Sequence, residues 1–418
     1  MNLAKITVRI DKHSGKKVFG EKVRLYLKMR RLFIISLLCF GQIITLPSDE
    51  NIAAVVRFSN SLVPPLFQIF SGNYTNLVLS PFGLATTISI TMDCVQGEPY
   101  EEIIRLFKLQ SKSARQQLRT GFKTILEDFR ADAMCDELAG SYSKAFLTSS
   151  RNFSTPIMDL LSKNYLVEMK TNSSIAKNFP AAQILELRTD SGIMSHWRDY
   201  QKLVVYTYLS HSMAAPFYTS IEKTINIPMI PLIGFFRAGF LPHLDCQGAE
   251  LLFENKKASL LLLMPNKVHE LPQLRANLFK ENFFDILDAL PQQETQIMIP
   301  QMSAVTNNLE LIPFLKLLGI TSVFKSSNSS STKTKSNVYV KSVKHSAFFS
   351  TGFSALNTIG TVAAKLNTTP TQPQYRKKRE NIRKFTFDKP FLYFLIHSES
   401  GLIITTGHIS QPSLFPEQ

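Results

Sequence analysis

The chain has 418 residues, of which 44% are hydrophobic and 19% are charged, so it can bury a large core and is neither disordered nor collagen-like. Its formal net charge of +15 is concentrated at the start, because residues 1–31 contain ten Lys or Arg and two acidic residues. Without that stretch about +7 remains, a charge that suits anionic extracellular partners and does not call for nucleic acid.

The first 48 residues have the pattern of a targeting segment. Arg30 and Arg31 precede the apolar run 32–40, as in a secretory signal, and the run is too short to span a bilayer. Gly41 offers a cleavage site, with a later cut near residues 49–50 as the alternative. A buried core helix is the competing interpretation of the run.

We therefore divide the chain into three parts. Residues 1–28 are a basic leader that is unusual before a signal, so translation starts at Met29 or the signal is internal. Residues 29–48 are the signal region, and residues 49–418 are one secreted domain. We expect no membrane span in that domain, and we expect it to be a monomer.

Cysteine usage argues against a disulfide framework or a zinc site. Cys39 lies in the leader, and the remaining Cys94, Cys135 and Cys246 form no CxxC pair. They are interpreted as buried apolar residues with one optional bridge. No metal or cofactor is predicted. Secretion is supported by five N-x-S/T sequons, at Asn73, Asn152, Asn172, Asn328 and Asn367.

The first third of the domain is predicted to be mainly helical. A helix over 51–70 is interrupted at Pro64 and Pro65, the strand 76–81 follows, and 84–94 has the character of a buried helix. Pro99 is predicted to begin the next helix, since a proline there loses no required donor.

An amphipathic helix is predicted over 114–129. One stripe is apolar, and a second stripe contains Arg115, Arg119 and Lys123 at four-residue intervals. Three aligned cations could hold a sulfated polysaccharide, and the alternative interpretation is a solvated helix face.

The last part of the chain is rich in strands. The run 258–265 is uniformly apolar, which predicts a central strand. Segments 391–397 and 402–407 flank a four-residue turn and predict a hairpin, while 326–336 is a polar loop. Helices and strands without alternating βαβ units indicate an α+β fold.

Several segments, in order, resemble the serpin superfamily. They are NLVLSPFGLATTISI (76–90), INIPMIPLIGFFRAGF (225–240), ASLLLLMPNKVHELPQL (258–274), IPQMSAVTNNLELIPFLKLLGITSVF (299–324) and, most specifically, FDKPFLYFLIHSESGLIITTGHISQP (387–412). The resemblance implies three β-sheets, eight or nine helices and an exposed reactive loop near the C-terminus, here about 353–384.

The resemblance also implies a function. An inhibitory serpin offers its loop as bait to a serine protease, and the cleaved loop inserts into a sheet and drags the acyl-enzyme away. The serpin supplies no catalytic group, so the chain is not predicted to be an enzyme. No HExxH, P-loop, GxGxxG or GxSxG motif points to other chemistry.

The loop hinge departs from the family pattern of small residues. The matching positions are Phe353, Ala355, Leu356, Thr358 and Gly360. Alternation along 356–366 would still allow the segment to become a strand, with an ordinary flexible loop as the alternative. The bulky side chains are expected to slow its entry.

Two counts place the scissile bond differently. Counting back from Pro390 gives Arg379-Glu380, within a basic run that would attract a trypsin-like protease. Counting forward from the hinge gives Thr369-Pro370, so the loop is about ten residues longer than usual. A solvated loop or polyanion patch is the other interpretation of the basic run.

The family has polar shutter residues beneath the insertion site, and Ser80 and His345 match two of them. Gly83, Val205 and Met213 are assigned to positions where a second serine, an asparagine and a tryptophan are usual. A core histidine without a switching role is the alternative for His345. The main alternative function is a non-inhibitory serpin that is a carrier, a storage protein or a protease substrate.

Overall fold

The computed structural model of the chain describes residues 49–135, 140–172, 183–194, 213–253, 258–278, 283–325, 338–351 and 382–414. Residues from Glu50 onward belong to one compact unit. The predicted leader, the signal region and the polar loop 326–336 lie outside the described residues.

The described part of the chain contains nine α-helices. They are α1 (Glu50–Asn60), α2 (Val63–Phe70), α3 (Pro81–Cys94), α4 (Glu98–Leu106), α5 (Lys112–Cys135), α6 (Thr155–Tyr165), α7 (Leu271–Leu278), α8 (Phe283–Ala289) and α9 (Ile312–Leu317). Two short 3-10 helices are also present, at Pro242–Leu244 and Ser322–Phe324.

Fourteen strands accompany them. They are β1 (Asn76–Leu79), β2 (Gly140–Ser149), β3 (Glu168–Thr171), β4 (Gln183–Met194), β5 (Met213–Tyr218), β6 (Thr224–Leu241), β7 (Cys246–Leu252), β8 (Ala258–Pro265), β9 (Gln292–Pro300), β10 (Met302–Glu310), β11 (Val338–Thr351), β12 (Arg383–Thr386), β13 (Phe391–His397) and β14 (Leu402–Ile409).

The helical predictions for the first third of the domain are confirmed. Pro64 and Pro65 lie in the first turn of α2, where no helical donor is lost, so α1 and α2 are separate helices. The apolar stripe of α5 is buried against the core through Leu118, Phe122 and Phe129. This stripe holds α5 against its neighbours, because burial of each such side chain stabilises by about 1.5–3 kcal/mol.

Pairing joins the strands into two sets. Five strands form one sheet in the order β10-β11-β4-β2-β3, and the other nine form a continuous ladder. In that ladder β6 pairs with β5 over its first residues and with β7 over its last residues. The single long strand β6 therefore joins two of the three sheets that the family resemblance predicts. The α+β fold is confirmed.

The centre of the larger ladder matches the sequence prediction. β8 lies between β7 and β13 and is buried along its whole length, as expected for a uniformly apolar strand. β13 and β14 form the predicted hairpin around residues 398–401. Gly401 has a φ of 72°, which suits the tight turn before β14.

The stretch Glu50–Phe70 is long and apolar enough to cross a membrane by length and composition alone. It consists of α1 and α2, and Val55, Leu66 and Phe67 are buried in the core. That burial is typical of a core helix. Elsewhere in the described ranges no other helix meets the same criterion.

Candidate functional site

The candidate site is the seam between β4 and β11, defined here as the parallel pairing of these two strands. It extends from Gln183 opposite Val338 to Met194 opposite Ser350. No strand lies between them, so each is the other's hydrogen-bonding neighbour. A strand that entered here would have to break this pairing first.

The chain leaves β11 at Thr351 and is described again from residue 382, where β12 follows. The hydroxyl of Thr351 donates to the carbonyl of Pro300 (2.6 Å) and accepts from the N–H of Met302 (3.2 Å). On the return side β12 pairs with β9, Arg383 opposite Thr295. Both ends of the predicted reactive loop are therefore fixed to the consecutive strands β9 and β10.

Every predicted hinge and bait residue lies outside the described residues. These are Phe353, Ala355, Leu356, Thr358, Gly360, Thr369, Pro370, Arg379 and Glu380. Their roles stay predictions.

A buried polar cluster lies under the seam and is centred on His345. The backbone N–H of Ser80 donates to Nε2 of His345 at 3.1 Å, and Nδ1 lies 3.1 Å from the hydroxyl of Thr189. Because Nε2 must accept from a backbone donor, the neutral ring carries its proton on Nδ1 and donates it to Thr189. Complete burial lowers the pKa of His345 to about 4, so the ring is neutral at physiological pH.

Ser80 connects this cluster to the hairpin and to a helix. Its hydroxyl donates to the carbonyl of Ile404 in β14 (2.7 Å) and accepts from the N–H of Gly83, which caps α3. The structure thus brings the two predicted shutter residues, Ser80 and His345, into direct contact and anchors both to β14.

Gly83 lies where the cluster is most crowded. A methyl carbon at this position would be 3.0 Å from the hydroxyl of Ser191 and 3.2 Å from that of Ser80. The Ser191 hydroxyl lies 3.2 Å from that of Ser143 on β2. A serine from β4 therefore occupies the space beside the position assigned to the second shutter serine.

Val205 lies outside the described residues, and the assignments of Val205 and Met213 stay predictions. The neighbour of His345 across the seam is Thr189, which the sequence alone did not single out. Thr189 was missed because the register of β4 against β11 depends on contacts far apart in sequence.

The three cations of α5 do not form a free stripe. Arg119 makes a bidentate pair with Asp93, whose side chain has no exposed area. Tyr165 donates to the same carboxylate at 2.8 Å, and burial raises the pKa of this phenol. Arg119 thus links α5 to α3 and α6, and its guanidinium is already bonded to a buried carboxylate.

The other two cations have local partners. Arg115 donates to the carbonyls of Leu109 and Gln110 and lies over the ring of Tyr100. Lys123 lies 3.8 Å from Glu127 one turn later. The stripe faces α3 and α4 as well as solvent, and its role in binding a sulfated polysaccharide stays a prediction.

Three sequon asparagines are described, and all three are exposed: Asn73, Asn152 and Asn172. Asn328 and Asn367 lie outside the described residues. Cys94 and Cys246 are buried and unbridged, and burial raises the pKa of Cys246 to about 12. Within the described ranges no group of three His, Cys, Asp or Glu residues could hold a metal ion.

Comparison with known proteins agrees with this geometry. The family model for Serpin (serine protease inhibitor) matches residues 208–412, which include β11 and the hairpin. An uncharacterized serpin-like protein of Thermococcus kodakarensis is 22% identical over 377 residues, 86% of this chain and 86% of that protein. Intracellular coagulation inhibitor 1 of Tachypleus tridentatus is 23% identical over 387 residues, 85% and 89% of the two chains.

The fold agrees as well. A structure of native protease nexin-1 with heparin superposes with a TM-score of 0.65 at 17% identity, covering 87% of this chain and 99% of that one. The chain belongs to the serpin superfamily. Serpins are typically protease inhibitors that supply no catalytic group.

Proposed function

We propose that this serpin is a secreted inhibitor of a trypsin-like serine protease. The observation that carries the proposal is the direct pairing of β4 with β11 while the loop leaves from the end of β11. A sheet in this state has a closed but usable insertion site, which is what an inhibitor needs before it meets its protease.

The proposed mechanism uses the strand arrangement at the seam. The protease serine attacks the carbonyl of Arg379, forms an ester and releases the new amino terminus at Glu380. The segment that follows β11 then turns back and enters between β4 and β11, antiparallel to both. Each hydrogen bond lost from the seam is replaced by pairing on both sides of the new strand, so insertion gains a full ladder.

The basic run 376–379 supports a trypsin-like target. It contains four consecutive cations, and a carboxylate in the specificity pocket of a protease selects such side chains. The alternative bond, Thr369-Pro370, has no basic residue before it and a proline after it. Arg379 is therefore the proposed bait residue.

Secretion is supported by the signal-like run before residue 41 and by the exposure of Asn73, Asn152 and Asn172. A sulfated polysaccharide is a weaker proposal. With Arg119 paired to buried Asp93, the contact on α5 would rest on Arg115 and Lys123.

The length of the predicted reactive loop favours a second candidate function, a non-inhibitory role as a protease substrate. The seam spans twelve residues of β4, so an inserted strand would use about the same number, 355–366. Arg379 lies thirteen residues beyond that strand, a tether of roughly 40 Å when extended. On so long a tether a protease is less strongly distorted, and it can hydrolyse the ester and leave.

Incubation with trypsin distinguishes the two roles. An inhibitor forms a covalent complex that survives a denaturing gel, while a substrate is cut once and leaves the protease active. Sequencing of the released fragment identifies the bond, and a variant with Gln at all four positions 376–379 is the matched control, because it removes every basic side chain of the run and keeps the seam.

A further inference from the structure

The outer face of the five-stranded sheet carries a groove of about 570 Å³ across the seam. We call it the seam groove. Its walls come from four adjacent strands and from no helix of the described chain. The lining residues are Phe146, Thr148, Glu168, Lys170, Glu186, Leu187, Arg188, Asp190, Lys341, Ser342 and Lys344.

Two cations face each other across the seam in this groove. Lys344 of β11 is paired in register with Arg188 of β4, and adjacent strands lie about 4.8 Å apart. Both side chains are exposed on the outer face, Arg188 by 51%. Like charges directly opposite one another destabilise the pairing of two strands.

The neighbouring charges are arranged differently. One step along the seam, Lys341 makes an ion pair with Glu186 across the same two strands, at 3.1 Å. Asp190 accepts from Nε of Arg188 at 2.9 Å, which leaves the terminal nitrogens of the guanidinium for another acceptor. One rung of the seam is thus closed by opposite charges, and the next charged rung on this face places Lys344 beside Arg188. Asp190 is bonded to Arg188, and Glu310 of β10 is paired in register with Lys344 on its other side, where its carboxylate accepts from the N–H of Val343.

We propose that the seam groove binds a single anionic group, a carboxylate, phosphate or sulfate, between Lys344 and Arg188. The ligand would accept from the Nζ of Lys344 and from the free edge of Arg188, and it would relieve their repulsion. Glu168, Glu186 and Asp190 also face the groove, so an extended polyanion would meet three carboxylates. The charge pattern therefore fits one compact anion.

Such an anion would hold the two strands together at the point where they must separate. Bound at this rung, it adds a second ionic link beside Lys341 and Glu186. On the function proposed above, it would slow insertion of the loop. The proposed anion binding does not depend on that function, because it uses only residues of the seam groove.

The test is calorimetric titration of the full-length secreted protein with inorganic phosphate at constant ionic strength. Parallel titrations with sulfate and succinate show which of the three anion classes binds most tightly. We expect saturable binding that weakens about tenfold or more in Lys344→Gln and in Arg188→Gln, since each variant removes one charge-assisted hydrogen bond.

Lys163→Gln is the matched control, because Lys163 is an exposed lysine of α6 outside the groove. It should bind like the unaltered protein, and thermal unfolding of all four proteins shows that each is folded. The proposal is overturned if no anion binds, or if binding is equal in all four proteins. No protease is present in this assay, so a failure here is separate from a failure of the inhibitor proposal.

Discussion

The backbone N–H of Ser80 donates to Nε2 of His345 across 265 residues of sequence. This bond joins the start of α3 to the middle of β11, the strand from which the loop departs. Since the hydroxyl of Ser80 also donates to β14, any opening of the seam that shifts β11 must strain or break a buried network. The first prediction concerns that network.

The free energy of unfolding should fall in acid because of His345. Its pKa is about 4 in the folded protein and about 6.5 ordinarily, so the unfolded chain takes up a proton first as the pH falls. Stability is unaffected above about pH 6.5, and this histidine alone accounts for a loss of about 3 kcal/mol between pH 7 and pH 4. Urea unfolding at several pH values measures the slope.

Burial also lowers the pKa of His408 to about 4. Variants are therefore needed to separate the contribution of His345 to the pH dependence from that of His408. His345→Gln should have a shallower slope than the unaltered protein. His243→Gln, which changes an exposed ring, should keep the full slope. Equal slopes in all three proteins would refute the buried neutral state of His345.

Replacement of Arg119 by Gln should destabilise the protein strongly without a matching loss of polyanion affinity. It leaves the carboxylate of Asp93 buried without its cation, which costs about 3–5 kcal/mol. Lys123→Gln removes a solvent-accessible pair between half-buried Lys123 and exposed Glu127 and should cost less than about 1 kcal/mol. Chemical unfolding and elution from a heparin column measure the two effects, and a stable Arg119→Gln with lost heparin affinity would contradict the assignment.

Gly407→Ala should prevent folding. A methyl carbon at this position would overlap the carbonyl of Leu77 and crowd the hydroxyl of Tyr393, so β1 could not pair with β14. Gly72→Ala is the control, because nothing lies within 4 Å of its methyl position. The yield of purified protein and its thermal unfolding decide the matter, and equal yields would show that β14 can shift away from β1.

A shorter loop should trap protease better. Deletion of residues 366–375 keeps the basic run 376–379 and removes most of the excess over the twelve-residue seam. We expect a larger fraction of cleaved molecules to end as covalent complex, because the tether to the protease is shorter. The ratio of complex to cleaved serpin on a denaturing gel measures this, and an unchanged ratio would show that tether length does not limit trapping.

Much of the fold could be predicted from sequence because its signals are local. The β13–β14 hairpin is marked by two apolar runs around one turn, and α5 by a repeat of apolar residues. The serpin resemblance then predicted the order of the elements and identified Ser80 and His345 as shutter candidates. Periodicity and family motifs are read from short segments of sequence, and short segments are sufficient to predict these elements.

The parts that were missed depend on pairing between distant segments. Thr189 contacts His345 only because β4 and β11 meet in one register, and a slip of one residue would turn it to the other face. The Arg119 pair joins two helices, so the spacing that suggested a free stripe could not show that Asp93 lay beneath it. The cation pair of Lys344 and Arg188 was missed for the same reason, because it depends on the pairing of β4 with β11.

The most direct test of the account is incubation of the purified protein with trypsin at a substoichiometric ratio, followed by a denaturing gel and N-terminal sequencing. The account predicts a band at the summed mass of the two proteins, a new terminus at Glu380 and lost trypsin activity, with no complex formed by the variant that has Gln at all four positions 376–379. Complete cleavage at Glu380 with trypsin still fully active would contradict it and establish this serpin as a protease substrate.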